Sequence, residues 1–273
     1  MKRFAIGQAD VSPDRLLVIA GPCVVESVEQ CLTVAAHLKR ACDARGFAYV
    51  FKASYRKANR SSGRSFAGLA MNEALGALAR VRREIDVPVL TDVHDESEIA
   101  PAAAVADALQ IPAFLSRQTG LIQAAGKSGK AVNVKKGQFL APDDMRQVVE
   151  KLEAVGCERI LLTERGTSFG YHDLVVDFRG LVAMRSFGWP VVYDASHSLQ
   201  KPGGETSGGD RTYAFPLMRA AIACGADALF FEAHPNPERA LSDAATQLPL
   251  ADVEAFLDDA RRMRDAVSES AHA

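Results

Sequence analysis

Ala131-Val132-Asn133-Val134, then Pro142-Asp143-Asp144-Met145-Arg146-Gln147-Val148-Val149-Glu150-Lys151-Leu152-Glu153-Ala154-Val155-Gly156, is the stretch on which the fold turns. The first four residues form a short run that is almost wholly apolar. In the second segment Met145, Val148, Val149, Leu152 and Val155 recur at helical spacing, so one face of a helix is apolar. Pro142 suits the first helical position, Asp143 and Asp144 complement the positive end of the helix dipole, and Gly156 stops it. A buried strand that hands over to an amphipathic helix is one βα unit.

The unit repeats outward in both directions. Apolar runs occupy Leu16–Ala20, Ala48–Phe51, Val87–Leu90, Ala108–Ala113, Ala131–Val134, Ile160–Leu162, Pro190–Tyr193 and Ala228–Phe231. Nearly continuous apolar runs mark strands covered on both faces, as a parallel sheet requires. Helical patterns fill the gaps, and the last places Val253, Phe256, Leu257, Ala260 and Met263 on one face. Eight βα units in 273 residues match the arithmetic of a (β/α)8 barrel, the TIM-barrel class of α/β fold. The expectation is a single barrel domain over residues 1–273, with a short N-terminal β-hairpin plugging the barrel bottom. An open doubly wound sheet is the alternative, but it would place a glycine-rich phosphate fingerprint after the first strand, and none is present.

Composition narrows the function. Hydrophobic residues make up 48% and charged residues 24%, with a net charge of −2, so neither nucleic acid nor an anionic membrane is an expected partner. The longest stretch without Asp, Glu, Lys or Arg is Leu16–Val25, too short to span a bilayer. The first ten residues have no apolar h-region, and five scattered cysteines fit a reducing compartment. A cytoplasmic enzyme is expected.

In a barrel the chemistry stands at the carboxyl ends of the strands. Read in order, those positions carry Cys23; Lys52 and Lys57; Asp92 and His94; Gln110 and Arg117; Lys135 and Lys136; Glu164 and Arg165; Asp194 and His197; Glu232 and His234. With Arg60, the basic members gather up to seven cations around one mouth, which is costly unless an anion neutralises them. Two phosphates and a carboxylate would balance that charge. A second constellation is Cys23, His197, Glu232 and Asp243, carried by the first, seventh and eighth units, which adjoin when a barrel closes. Thiolate, imidazole and carboxylate together suit Mn²⁺, Fe²⁺, Co²⁺ or Zn²⁺. No local spacing motif supports such a site, and a buried inert Cys23 beside a rim histidine bonded to Asp194 is the other reading.

At these residues the sequence resembles the 3-deoxy-D-manno-octulosonate 8-phosphate synthase family. The resemblance is carried by Ile19-Ala20-Gly21-Pro22-Cys23-Val24-Val25-Glu26-Ser27, Phe51-Lys52-Ala53-Ser54-Tyr55-Arg56-Lys57-Ala58-Asn59-Arg60-Ser61-Ser62, and Gln110-Ile111-Pro112-Ala113-Phe114-Leu115. Asn133-Val134-Lys135-Lys136-Gly137-Gln138-Phe139, Glu164-Arg165-Gly166, Asp194-Ala195-Ser196-His197 and Glu232-Ala233-His234-Pro235 complete an ordered set that covers nearly the whole chain. The resemblance implies condensation of phosphoenolpyruvate with D-arabinose 5-phosphate, for the lipopolysaccharide core, in a homotetramer. It implies that Lys135, Arg165 and Arg117, with the loop around Ala113, hold phosphoenolpyruvate, that Gln110 is among the substrate-binding residues, and that Lys52 and Lys57 lie near the reacting carbons. Asn59, Arg60, Ser61 and Asp92 would hold the pentose phosphate, with Arg60 and Ser61 at a subunit interface. It also implies a divalent metal held by Cys23, His197, Glu232 and Asp243, because the metal-independent branch has Asn where this chain has Cys23. One departure is Ala244, where the family commonly has Gly.

The related 3-deoxy-D-arabino-heptulosonate 7-phosphate synthases share the Gly-Pro-Cys and His-Pro motifs, but they carry an Arg-Thr-Ser-Pro type loop in place of Lys57-Ala58-Asn59-Arg60-Ser61-Ser62. From other classes, a Schiff-base aldolase would use Lys135 as nucleophile, and a non-catalytic barrel would have lost part of the rim set. The four glycines Gly203, Gly204, Gly208 and Gly209 make Gln200–Arg211 a candidate lid.

Overall fold

Inward-facing side chains change character along seven of the eight strands of the barrel, and this gradient puts the site at one end. The computed structural model describes residues 1–57, 68–170, 172–202 and 208–270. Eight parallel strands run Leu17–Gly21, Ala48–Lys52, Val89–Asp92, Ala108–Ile111, Ala131–Lys135, Ile160–Glu164, Val191–Asp194 and Ala228–His234. Each pairs with the next, and the eighth pairs with both the seventh and the first, which closes the barrel. Helices α1 (Val28–Asp43), α2 (Met71–Val81), α3 (Ile99–Val105), α4 (Thr119–Lys127), α5 (Met145–Glu153), α6 (Arg179–Arg185), α7 (Ala214–Ala223) and α8 (Val253–Ser270) form the outer layer.

The local signals act as the chemistry requires. Ser27 caps α1 by accepting from the Gln30 amide at 3.1 Å. Pro142 opens a single 3-10 turn that runs into α5, and Asp144 accepts from the Ala141 amide at 3.1 Å. Gly156 follows the helix at φ +78°, a left-handed conformation glycine adopts without strain. The outward faces of the strands pack on the helices in one large core that includes Trp189, Phe231 and Phe256.

The barrel interior is a separate apolar cluster of Leu17, Ile19, Ala48, Val50, Leu90, Ala108, Ala131, Leu161, Val192, Ala228 and Phe230. Ile6, Ala9 and Val11 belong to the same cluster. They come from the N-terminal hairpin, Phe4–Ile6 against Ala9–Val11, so the hairpin does close the bottom. Two residues further along, the inward positions of the second to eighth strands become Lys52, Asp92, Gln110, Asn133, Thr163, Asp194 and Glu232, all buried.

That gradient corrects the strand ends read from sequence. The apolar runs stop where the inward residue turns polar, but the backbone pairing continues, so Lys52, Asp92, Lys135, Glu164, Asp194, Glu232 and His234 are strand residues. In the fourth strand the correction is opposite: pairing ends at Ile111, because Pro112 lacks an amide hydrogen.

Candidate active site at the barrel mouth

The metal-type cluster is assembled by the first, seventh and eighth units together with the segment after the eighth strand. Ligand atoms of Cys23, Glu232 and Asp243 lie within 4.8 Å of one another. The Cys23 Sγ is 3.2 Å from Asp243 Oδ2 and 3.0 Å from Ser242 Oγ. Asp243 sits at φ 46°, which Asp tolerates better than most residues. His197 stands one step away, with Nε2 at 3.6 Å from Glu232 Oε1 and 3.7 Å from Asp243 Oδ2.

The histidine is oriented from behind. Asp194 Oδ1 accepts from the backbone amides of Ser196 (3.0 Å) and His197 (2.8 Å), and its Oδ2 lies 3.0 Å from His197 Nδ1. A proton on Nδ1 therefore faces the carboxylate and leaves the Nε2 lone pair toward the cluster. Glu232 Oε1 accepts from Lys52 Nζ at 2.8 Å, while its Oε2 is buried without a hydrogen-bond partner among the described residues. That orphaned oxygen, with the thiol, imidazole and second carboxylate around it, fits a borderline divalent cation. Burial pushes the Cys23 thiol well up, and Asp243 and Glu232 push it further. Binding a cation there must displace the proton.

The cations are arranged differently from the open ring that the sequence predicts. Lys52 and Glu232 form a wholly buried pair, and Lys135 Nζ donates to Asp194 Oδ2 at 2.6 Å while lying 3.8 Å from the centre of the Phe230 ring. Burial lowers the Lys135 pKa, although Asp194 opposes the shift. Lys57 Nζ donates to Ser54 Oγ at 3.1 Å. Its pKa is raised: burial opposes the charge, but Cys23, Glu232, Asp243 and Asp92 outweigh it. Lys136 does not join the mouth. It is buried behind the sixth strand, with Nζ 3.5 Å from Glu164 and donating to Thr167 Oγ1 at 3.0 Å. Alternation along the strands sends Lys135 and Thr163 inward and their neighbours Lys136 and Glu164 outward.

Arg165 supplies the clearest anion-seeking group. It is 5% exposed, its Nη2 donates to Gln200 Oε1 at 2.9 Å, and its Nε and Nη1 are buried with no partner among the described residues. Burial lowers its pKa, with Asp194, Asp243, Glu164 and Glu232 acting against that. Arg117 is exposed on the segment that follows the buried Ala113.

Asp92 is buried and accepts from Ser54 Oγ and Gln110 Nε2. Burial alone would raise its pKa, but Lys52 and Lys57 hold it well below the usual carboxylate range. His94 lies beside the mouth, 3.3 Å from Glu98, which also accepts from Tyr55 and Arg56. His234 faces Glu26 at 3.5 Å, outside the cation cluster. Asn59, Arg60 and Ser61 lie outside the described residues, as do Gly203 and Gly204 of the candidate lid. Sequence reading missed Ser54, Ser242 and Gln247, whose side chain accepts from the Cys23 amide at 3.3 Å. Only the position of Ser54 in a motif already singled out could have flagged it.

Comparison with known proteins shows the family. The family model described as DAHP synthetase I family matches residues 5–269. A 2-dehydro-3-deoxyphosphooctonate aldolase of Trichlorobacter lovleyi is 53% identical over 259 residues, covering 94% of this chain and 95% of that protein. Proteins of the same name from a Cyanothece species (53% identical, 92% and 93% coverage) and from Dechloromonas aromatica (54% identical, 88% of each chain) are similar to it as well. Matched almost end to end and more than half identical to such relatives, the chain belongs to the DAHP synthetase I family.

Proposed function

We propose that the chain is a transferase that condenses phosphoenolpyruvate with D-arabinose 5-phosphate and water, giving 3-deoxy-D-manno-octulosonate 8-phosphate and inorganic phosphate for lipopolysaccharide assembly. The observation that carries the reading is the Cys23–Glu232–Asp243 cluster at the same barrel mouth as Arg165, two of whose guanidinium nitrogens have no partner among the described residues. Relatives more than half identical to this chain bear the name of that product. The sequence Lys57-Ala58-Asn59-Arg60-Ser61-Ser62 favours arabinose 5-phosphate over erythrose 4-phosphate.

In this reading Arg165, Lys135 and Arg117, with the backbone around Ala113 and the Gln110 side chain, hold phosphoenolpyruvate. Asn59, Arg60, Ser61 and Asp92 hold the pentose phosphate. Carbon 3 of the enol attacks the aldehyde, water adds at carbon 2, and phosphate leaves with cleavage of the carbon–oxygen bond. Lys52 and Lys57, fixed before substrate arrives by Glu232 and Ser54, offset charge that develops at the reacting carbons. Holding both substrates in one mouth supplies the proximity term. A divalent ion of the Mn, Fe, Co or Zn group, held by Cys23, His197, Glu232 and Asp243, would contribute Lewis acidity there.

A homotetramer that brings Arg60 and Ser61 to a subunit interface, one catalytic domain per chain, and a cytoplasmic location where phosphorylated substrates are available complete the proposal. Enzyme turning over phosphoenolpyruvate labelled at the bridging oxygen tests it. The label is expected in the released phosphate, along with an eight-carbon product. Label retained in the organic product, or release that does not require the pentose phosphate, would refute the reading. Cyanoborohydride added during turnover, which at neutral pH would reduce a Schiff base on Lys135 in preference to the substrate aldehyde, is expected to leave activity intact.

A further inference from the structure

Below the mouth runs a line of buried polar side chains, of which the proposed reaction uses Asp92 and Gln110 but neither Asn133 nor Thr163. The third, fourth, fifth and sixth strands point Asp92, Gln110, Asn133 and Thr163 inward, none more than 7% exposed. Thr163 Oγ1 donates to Asn133 Oδ1 at 2.6 Å, and Asn133 Nδ2 donates to Gln110 Oε1 at 2.8 Å. Gln110 Nε2 then donates to Asp92 Oδ1, and Ser54 Oγ closes the other side by donating to Asp92 Oδ2. Every link points the same way, toward one carboxylate.

That polarity follows from what each group can do. An ionised carboxylate only accepts, so Gln110 must offer it the amide nitrogen. The Gln110 carbonyl then needs a donor and obtains the Asn133 amide. The Asn133 carbonyl needs a donor in turn, and only a hydroxyl, which has no fixed direction, can end the chain without an orphan. In a dry interior such a chain strengthens along its length, and a missing end leaves a buried group unsatisfied. Without the Thr163 hydroxyl the Asn133 carbonyl loses its donor, and turning both amides over would only exchange that orphan for an unpaired Asn133 N–H. The Gln110 carbonyl would then face the Asp92 carboxylate.

We propose that Asn133 and Thr163 are positioning residues for Asp92, with Thr163 as the anchor that sets the direction of the Gln110 amide. The proposal rests on the reading that places Asp92 against the pentose phosphate. It also makes Gln110 a residue whose carbonyl and one N–H are already committed before substrate binds.

The test compares Thr163→Ser with Thr163→Val, each alone and with Asp92→Asn. Thr163→Val keeps the shape and loses the hydroxyl; Thr163→Ser keeps the hydroxyl and loses a methyl. If the hydroxyl anchors the chain, Thr163→Val lowers kcat/KM for arabinose 5-phosphate about 10-fold, the worth of one hydrogen bond, with the KM for phosphoenolpyruvate unchanged. Thr163→Ser then stays within about 2-fold of wild type, and Thr163→Val adds little to Asp92→Asn, because its effect runs through Asp92. A residue that only packs reverses the ranking, with Val better than Ser. That reversal, or a Val penalty undiminished in the Asp92→Asn background, overturns the proposal. Asn133→Leu, of similar shape, cuts the chain one link closer to Asp92, is expected to cost at least as much, and serves if Thr163→Val does not fold. The same cycle read by urea midpoints requires no substrate. Wild-type enzyme that does not turn over arabinose 5-phosphate therefore counts against the proposed function alone.

Discussion

Replacing Arg165 by Met should weaken phosphoenolpyruvate binding and, at the same time, stabilise the ligand-free protein. The side chain is buried with Nε and Nη1 unpartnered among the described residues, and only Nη2 is bonded, to Gln200. Each unsatisfied buried donor costs about 1–3 kcal/mol, more when charged. Met fills a similar volume without that cost. The lost Gln200 bond, and the carboxylates Asp194, Asp243, Glu164 and Glu232 that favour the charge, offset part of the gain. A net stabilisation of about 1–2 kcal/mol follows, which in a barrel of this size raises Tm by roughly 2–6 °C. In the proposed complex the same two nitrogens would make charge-assisted bonds worth about 1.5–3 kcal/mol each. Their loss should raise the KM for phosphoenolpyruvate about 100-fold or more, since 1.4 kcal/mol is a factor of about ten. Thermal unfolding with and without phosphoenolpyruvate, run beside steady-state kinetics, reads both effects. Wild type should gain stability on adding ligand, and the variant should gain almost none. A variant that unfolds several degrees earlier yet keeps its KM would show that Arg165 is a structural cation, and the reasoning would be wrong.

Other outcomes follow from the same geometry. Prolonged chelation should abolish activity and Mn²⁺, Fe²⁺, Co²⁺ or Zn²⁺ should restore it to different extents; His197→Ala should remove both bound metal, by elemental analysis, and turnover. Cys23→Asn should weaken metal binding sharply while leaving some metal-free turnover, since an amide serves at that position in the other branch. A Cβ on Gly21 would lie 2.1 Å from the Lys52 carbonyl oxygen, so Gly21→Ala should destabilise by about 3 kcal/mol or more, read as a lower Tm and loss of soluble protein. The Asp92 pKa is held below its unfolded value near 3.9 by Lys52 and Lys57, so its ionised form contributes stability that is present above about pH 4 and lost as pH falls through the folded value. Asp92→Asn should therefore cost stability at neutral pH and progressively less in acid, as urea midpoints against pH will show.

The features that were legible in the sequence are those written along one segment. Pro142, the apolar stripe through Leu152 and Gly156 fix a helix locally, and the eightfold recurrence of such units gives the barrel. Asp194 and His197 share one turn, so their pairing is local too. What was not legible depends on register between strands. The Thr163–Asn133–Gln110–Asp92 chain joins four strands through their inward faces, and no spacing along the chain encodes it. The same alternation sent Lys136 to the back of the barrel, where two adjacent lysines read from sequence as one cationic patch. The cation ring was overcounted for a related reason: carboxylates from distant strands, Glu232 and Asp194, arrive beside Lys52 and Lys135 only when the barrel closes.

Phosphate release from phosphoenolpyruvate, measured side by side with arabinose 5-phosphate and erythrose 4-phosphate as acceptors, tests the central claim most directly. Strong preference for arabinose 5-phosphate is expected. Equal or faster turnover of erythrose 4-phosphate would contradict it.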